Sequence, residues 1–189
     1  MPEKSSTNDI SYAFQALLVL ACGVVYFYAF QLNAYLFDAL QFSEGVNWVF
    51  IPSGLRFLLV LVLFQLGAIG IALASCLINY LYGTPDAHLF NIVTGFLSGF
   101  SPLVARYWAV DGLKLRTDLG GLTVQRLFKA SVLFAIISAT LHQLWFFWQG
   151  TTTHFVASAF AMAIGDWFGT VLVLATASLL FKLYRRALN

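Results

Sequence analysis

The sequence is short of charge. Only 10% of its 189 residues are Asp, Glu, Lys or Arg, against about a quarter in a typical soluble domain. Hydrophobic residues make up 60% of the chain, and the mean hydropathy is +0.83. A chain of this size cannot cover so much apolar surface with polar groups, which excludes a soluble globular fold. The composition therefore predicts an integral membrane protein.

The sequence also lacks the clusters that catalysis and metal binding require. Its two cysteines, Cys22 and Cys76, lie within apolar runs and show neither CxxC nor Cys/His spacing, so we expect small buried side chains there. We find no nucleophile beside a base, no phosphate-binding glycine loop and no metal-ligand motif. The net charge of +2 is too small to indicate nucleic-acid binding. We therefore expect a protein without enzymatic activity, and the sequence identifies no cofactor.

Five long apolar runs predict the membrane spans. A helix needs about 20 residues to cross a bilayer. The first, third and fourth runs fit one crossing each, and the fifth fits one tilted helix. No small-residue cleavage site follows a short apolar core near the N-terminus, so we expect the first run to be a retained span. The runs cover residues 11–37, 54–83, 88–110, 123–149 and 155–186.

The second run, 54–83, is longer than one crossing. It fits one overlong helix or two short tilted helices that turn within Gln65–Gly70. Basic residues cluster around the link that precedes the fourth run and at the chain's end, and the positive-inside rule places both regions in the cytoplasm. Counting back, two short helices put the N-terminus in the cytoplasm, whereas a single helix puts it outside. The basic residues are Arg106, Lys114, Arg116, Arg126, Lys129, Lys182, Arg185 and Arg186.

We favour two short helices. The expected fold is an all-α polytopic bundle of about six transmembrane helices, two of them short, with both termini cytoplasmic. The segment 38–54 then lies outside as an interfacial link. No repeat or linker divides residues 1–189, so we expect one transmembrane domain, in a bacterial inner membrane.

An aspartate interrupts the last apolar run. Asp166, in AIGDWFG, lies about 11 residues, or roughly 16 Å, into the final helix, where an ionised carboxylate costs about 2.5–3.5 kcal/mol. It should therefore face the bundle interior, either protonated or paired, with Arg56 and His142 as the favoured partners. In the six-helix arrangement other polar residues reach the same outer half of the membrane. The candidate ligand-binding residues are Arg56, Asn79, Asn91, His142, Gln143 and Asp166.

Three interpretations of Asp166 stay open. It is a structural tie between helices, with Gly165 and Gly169 allowing close approach, or it is part of a ligand pocket open to the outside. A proton relay is the least favoured interpretation, because we see no second membrane carboxylate to receive the proton. In a five-helix arrangement Arg56 moves to the cytoplasmic side, and the cluster breaks up.

Two stretches resemble a known family. WVFIPSG (48–54), with the apolar run after it, resembles the W-x-P-x-G signature of the bacterial membrane-associated sensor domain, MASE type one, although Trp48 is displaced from the proline. Gly165, Asp166 and Gly169 resemble the Gly-Asp-x-x-Gly pattern of that family's later helices. Such domains are multi-helix bundles that precede cytoplasmic histidine kinases or diguanylate cyclases. No such module lies within these 189 residues, so the resemblance implies a stand-alone sensor or an adaptor acting through another membrane protein.

Three functional hypotheses follow. The first, which we favour, is a non-enzymatic sensory or accessory subunit that contacts another membrane protein or a second copy of itself within the lipid bilayer. Such a subunit could also bind a small ligand in its outer half. The second is a small-molecule-binding subunit of a transporter, because the size and helix number are similar to those of energy-coupling-factor substrate-binding subunits. The third is a structural subunit of a larger membrane complex.

Overall fold

The computed structural model describes residues 11–83, 86–112 and 123–187. Five of its helices are long and apolar enough to cross a membrane, and a sixth, α2, has 13 residues. The prediction of an all-α, multi-pass helical bundle is confirmed. The helices are α1 (Tyr12–Phe37), α2 (Ile51–Leu63), α3 (Gln65–Tyr82), α4 (His88–Gly112), α5 (Val124–Trp148) and α6 (Phe155–Ala187). Between α1 and α2 lie a 3-10 turn (Asp38–Leu40) and two antiparallel strands, β1 (Gln41–Ser43) and β2 (Val46–Asn47).

Local signals set several helix starts. The Ser11 side chain accepts the backbone N–H of Phe14 at the start of α1, and Thr123 accepts that of Arg126 at the start of α5. Each bond satisfies a donor that has no partner within the helix. Pro52 lies in the first turn of α2, where its missing N–H costs nothing.

The second apolar run folds into two helices, as the six-helix arrangement predicts. Phe64 separates α2 from α3 with φ 53° and ψ −121°, a conformation that favours glycine. The chain reverses there, since a Cβ added to Gly67 would stand 2.7 Å from the carbonyl oxygen of Leu59. The predicted turn within Gln65–Gly70 is wrong by a short distance, because those residues already form the first turns of α3.

The helices run in alternating directions. α1, α3 and α5 run one way and α2, α4 and α6 the other, so α1 starts at the end of the bundle where α6 finishes. The orientation in the membrane stays a prediction, and residues 1–10 and the basic link 113–122 lie outside the described residues. The contacts that give the directions are Gly23–Gly70, Gln31–Tyr82, Cys76–Gly95, Ala72–Gly99, Ser98–His142, Thr94–Trp145 and Gly54–Gly169.

The link between α1 and α2 enters the bundle, which the prediction of an interfacial link did not anticipate. Val46 of β2 is fully buried and packs in one cluster with Ala139 and Ala161. The Phe50 N–H donates to the carbonyl of Gly165 at 3.2 Å, about ten residues into α6. α2 therefore begins well inside the bundle. Its 13 residues, about 20 Å of helix, cover only the part of the bundle away from the hairpin.

Candidate functional site

Polar side chains from all six helices meet in one buried layer near the middle of the bundle. Each is at most 5% exposed. We call this group the central layer. It consists of Tyr26 (α1), Arg56 (α2), Ser75 (α3), Ser98 (α4), Ser138 and His142 (α5), and Asp166 (α6).

The central layer contains a buried ion pair. The Arg56 Nη2 atom is 3.2 Å from Asp166 Oδ1, and both side chains are 1% exposed. The pair forms because α2 and α6 approach closely: a Cβ added to Gly54 or to Gly169 would overlap the backbone of the facing segment. The predicted pairing of Asp166 with Arg56 is thus present. A carboxylate at this depth needs such a partner, since an unpaired buried charge is costly.

Hydroxyl groups hold the backbone at Asp166. Ser53 Oγ donates to the Asp166 carbonyl at 2.7 Å, and Thr170 Oγ1 donates to the same oxygen at 2.6 Å. Three buried atoms of the layer, Arg56 Nε, Asp166 Oδ2 and Ser138 Oγ, have no hydrogen-bond partner of good geometry among the described residues. Ser138 nevertheless lies close enough to interact with the Asp166 carboxylate. Hydrogen-bonding capacity therefore remains in the layer after the ion pair is made.

His142 belongs to a second set of bonds and does not pair with Asp166 as predicted. Its Nδ1 lies 2.8 Å from the carbonyl oxygen of Ser138, and its Nε2 lies 3.3 Å from Ser98 Oγ. A carbonyl can only accept, so Nδ1 carries a hydrogen, and in the neutral ring Nε2 accepts from Ser98. The Tyr26 hydroxyl lies close enough to Ser75 and Ser98 to interact with both. The bonds of His142 link α4 to α5, and Tyr26 brings α1 and α3 to the same level.

The other predicted residues lie elsewhere. Asn79 Nδ2 donates to the backbone oxygen of Asn91 at 3.0 Å and links α3 to α4. Gln143 is fully buried, and its Oε1 accepts from Thr152 Oγ1 at 3.1 Å in the link between α5 and α6. The prediction of a single ligand-binding set is therefore not met geometrically: the candidates divide among three places.

A pocket of about 270 Å³ opens at the end of the bundle that holds the β-hairpin. It lies between α1, α3, α4 and the hairpin, and we call it the hairpin pocket. Phe50 lines its floor, and the Arg56 guanidinium carbon lies 5.4 Å from the centre of the same ring. Phe50 therefore separates the pocket from the central layer. The other aromatic lining residues are Phe30, Phe37, Tyr82, Phe90 and Phe146, and the polar ones are Asn33, Asp38, Gln41, Glu44, Asn47, Asn79, Asn91 and Thr94.

Sequence reasoning found two pocket residues, Asn79 and Asn91, and missed most of the others. Asn33 carried a usable signal, because it is an amide within the apolar run of α1. It is 2% exposed, and its Oδ1 accepts the N–H of Ile51 at 2.9 Å, so it positions the start of α2. Asp38 and Glu44 carried none, since acidic residues between spans are usually solvated.

The hairpin pocket suits reversible binding. It combines amide and carboxylate groups, which orient a ligand, with aromatic rings, which supply apolar contact. Among the described residues, no group of three or more His, Cys, Asp or Glu side chains could hold a metal ion. Comparison with protein-family models, curated protein sequences and solved structures finds no match to this chain. The functional interpretation therefore depends on the site itself.

Proposed function

We propose that this chain is a non-enzymatic membrane subunit that binds a small molecule in the hairpin pocket and presents the occupied state to a partner membrane protein. The observation that carries the proposal is the pocket itself, whose wall includes an inserted hairpin as well as helices. Its volume of about 270 Å³ is just below the range of about 300–1,000 Å³ common for ligand sites. That size suits a small metabolite.

The layer beneath the pocket supports a binding site rather than a pore. Phe50 closes the floor, and the Arg56–Asp166 pair lies directly behind it. A ligand could not pass through this layer without separating two charges that are both almost fully buried. A receptor and a substrate-binding transport subunit share this requirement, and the identity of the partner would distinguish them.

The surface of α1 supports a partner helix. Only 11% of its apolar window is buried in the bundle, against 56% for α5. Such a face contacts either lipid or another membrane helix. A sensor or adaptor of the MASE-like kind, which stays a prediction from the sequence resemblance, would use a face of this type.

A ligand screen tests the proposal. We would measure the unfolding temperature of the purified protein in lipid nanodiscs against a library of small metabolites, and identify co-purifying proteins by mass spectrometry. Ala34 lines the pocket mouth, so Ala34→Trp should fill it. Leu36→Trp is the matched control, because Leu36 lies on the same helix, is 52% exposed and does not line the pocket.

The expected result is a compound that raises the unfolding temperature of the wild type and of Leu36→Trp but not of Ala34→Trp. A library without any stabilising compound, together with a preparation that carries no bound small molecule, would contradict the binding role. A protein that purifies from native membranes as a monomer without any associated protein would contradict the proposed interaction with a partner.

A further inference from the structure

We propose that the hairpin pocket selects an uncharged aromatic compound that carries both a carbonyl oxygen and a hydrogen-bond donor, such as an aromatic carboxamide. This inference rests on the proposed function and adds the chemical class of the ligand. The buried part of the pocket wall combines amide side chains with apolar and aromatic ones. The buried lining residues are Asn33, Ile78, Asn91 and Phe146.

The buried part of the wall favours a ligand without charge. An ion that leaves water needs a partner of opposite sign. The lining side chains that are buried are uncharged, and Arg56 behind Phe50 is balanced by Asp166 at 3.2 Å. The two lining carboxylates, Asp38 and Glu44, are exposed, so water stabilises them and they do not set the charge of a ligand held deeper in the pocket.

The aromatic rings favour a flat ligand. Six of the lining residues are aromatic. Phe30 meets Phe50 edge to face with ring centres 6.2 Å apart, and Phe90 meets Phe146 at 5.3 Å. An aromatic ligand that stacks on such rings, or meets them edge to face, gains more than its apolar area alone supplies. A saturated ring of the same size lacks this gain.

The amides require an acceptor and a donor on the ligand. The oxygen of Asn33 accepts the Ile51 N–H at 2.9 Å, which leaves the Asn33 amide nitrogen to donate to a ligand carbonyl. The amide nitrogen of Asn79 donates to the Asn91 carbonyl at 3.0 Å, which leaves the Asn79 amide oxygen to accept from a ligand N–H. Asn33 is 2% exposed, so its bond to a ligand is shielded from water. A carboxamide carries both partners in one group.

Five probes of similar size test the chemical class. Benzamide has all the expected features, benzoate is its anionic isostere and benzamidine its cationic one. Acetophenone keeps the ring and the carbonyl but lacks the donor, and cyclohexanecarboxamide keeps the amide but lacks the aromatic ring. We would measure the affinity of each for the full chain in nanodiscs by calorimetry. The signal from Ala34→Trp, in which the pocket is filled, is subtracted to remove partition into lipid.

Benzamide should bind most tightly of the five. We expect acetophenone and cyclohexanecarboxamide to bind at least about threefold more weakly, because each loses one kind of contact. Benzoate and benzamidine should bind at least about tenfold more weakly, because each must leave water without a counter-charge in the buried part of the wall.

One variant tests the Asn33 donor and keeps its acceptor. Asn33→Asp retains an oxygen for the Ile51 N–H and replaces the amide nitrogen with a second carboxylate oxygen. Benzamide binding should weaken about tenfold, and benzamidine binding should strengthen, because the carboxylate accepts from the amidinium and balances its charge. Gln149→Glu is the control, since it makes the same amide-to-acid change at an exposed residue after α5 that does not line the pocket. The order of the two affinities should not change there.

A second variant tests the acceptor and remains informative if Asn33→Asp does not fold. Asn79→Ala removes the amide oxygen expected to accept the ligand N–H. Benzamide binding should weaken about three- to tenfold. Acetophenone binding should stay the same, because acetophenone has no N–H to lose a partner.

Several outcomes would overturn the inference. The absence of benzamide binding would do so, and so would equal or tighter binding of benzoate or benzamidine to the unaltered chain. Unchanged benzamide affinity in both Asn33→Asp and Asn79→Ala would also overturn it. A metabolite screen that finds a charged or non-aromatic ligand sensitive to Ala34→Trp would overturn the chemical class while leaving the proposed function in place.

Discussion

The central layer and the hairpin pocket use similar side chains in opposite settings. In the central layer a carboxylate and a guanidinium neutralise each other, and both are 1% exposed. In the hairpin pocket two carboxylates face an opening without a basic residue among the described lining residues. Burial explains the difference, because a charge inside the bundle must find its partner within the chain, whereas a charge at an opening is also stabilised by water.

The inserted hairpin places these two regions next to each other. α2 starts beside Gly165 of α6, so near the hairpin end of the bundle the place of a sixth helix is taken by an extended segment. The hairpin residues Gln41, Glu44, Gly45 and Asn47 line the pocket together with residues of α1, α3 and α4. The same insertion puts Phe50 5.4 Å from the Arg56 guanidinium carbon. One structural feature therefore forms a wall of the pocket and places Phe50 between the pocket and Arg56.

Breaking the ion pair should have the largest effect on stability. Arg56→Met leaves the Asp166 carboxylate buried without its partner, and Asp166→Asn leaves the Arg56 guanidinium buried without its partner. Each variant should be destabilised by about 3–5 kcal/mol. The double variant Arg56→Met/Asp166→Leu should recover much of that loss, because apolar side chains replace both charges. Thermal unfolding in detergent measures all three. An unchanged unfolding midpoint in Asp166→Asn would contradict a charged pair, because it would show that Arg56 does not need the Asp166 carboxylate.

The reactivity of single cysteines should differ by about a hundredfold between the hairpin and the buried start of α2. In a background in which Cys22 and Cys76 are replaced by alanine, Ser43→Cys on β1 should react with an impermeant maleimide on intact cells. Ser53→Cys should react about a hundredfold more slowly, because Ser53 is fully buried and must wait for local opening. Equal rates would contradict insertion of the segment that follows the hairpin. Labelling of Ser43→Cys only after lysis would reverse the predicted orientation.

The helices were predictable because their signals are local. Run length and the positions of basic residues predicted six helices and the division of 54–83. The Arg56–Asp166 pair was also predictable, because a buried carboxylate needs a cationic partner and the apolar runs contain few basic residues. The turn lies at Phe64, just before the predicted turn segment Gln65–Gly70, because a residue other than glycine adopts a conformation that favours glycine.

The hairpin insertion and the hydroxyl members of the central layer were not predictable. The segment 38–50 contains Asp38 and Glu44 and therefore has the composition of a surface link. Its insertion depends on Gly165 and Gly169, which lie far along the chain and allow its backbone to approach α6. Serine in an apolar helix carries no comparable signal, because its hydroxyl can bond to its own helix. Only the packed bundle shows which hydroxyls meet.

The smallest stability effect tests whether the two regions are separable. Asn79→Ala removes one half-buried hydrogen bond and should cost about 1 kcal/mol or less of unfolding free energy. Ser98→Ala should cost more, about 1–3 kcal/mol, because it deprives the buried His142 of a hydrogen-bond partner. Ligand affinity should show the opposite order, since Asn79 lines the pocket and Ser98 does not. Calorimetry and thermal unfolding on the same two preparations would measure both quantities. If Ser98→Ala weakened ligand binding as much as Asn79→Ala did, the central layer would have to change its structure when a ligand binds in the pocket. Phe50 would then transmit that change between the pocket and the central layer instead of separating them.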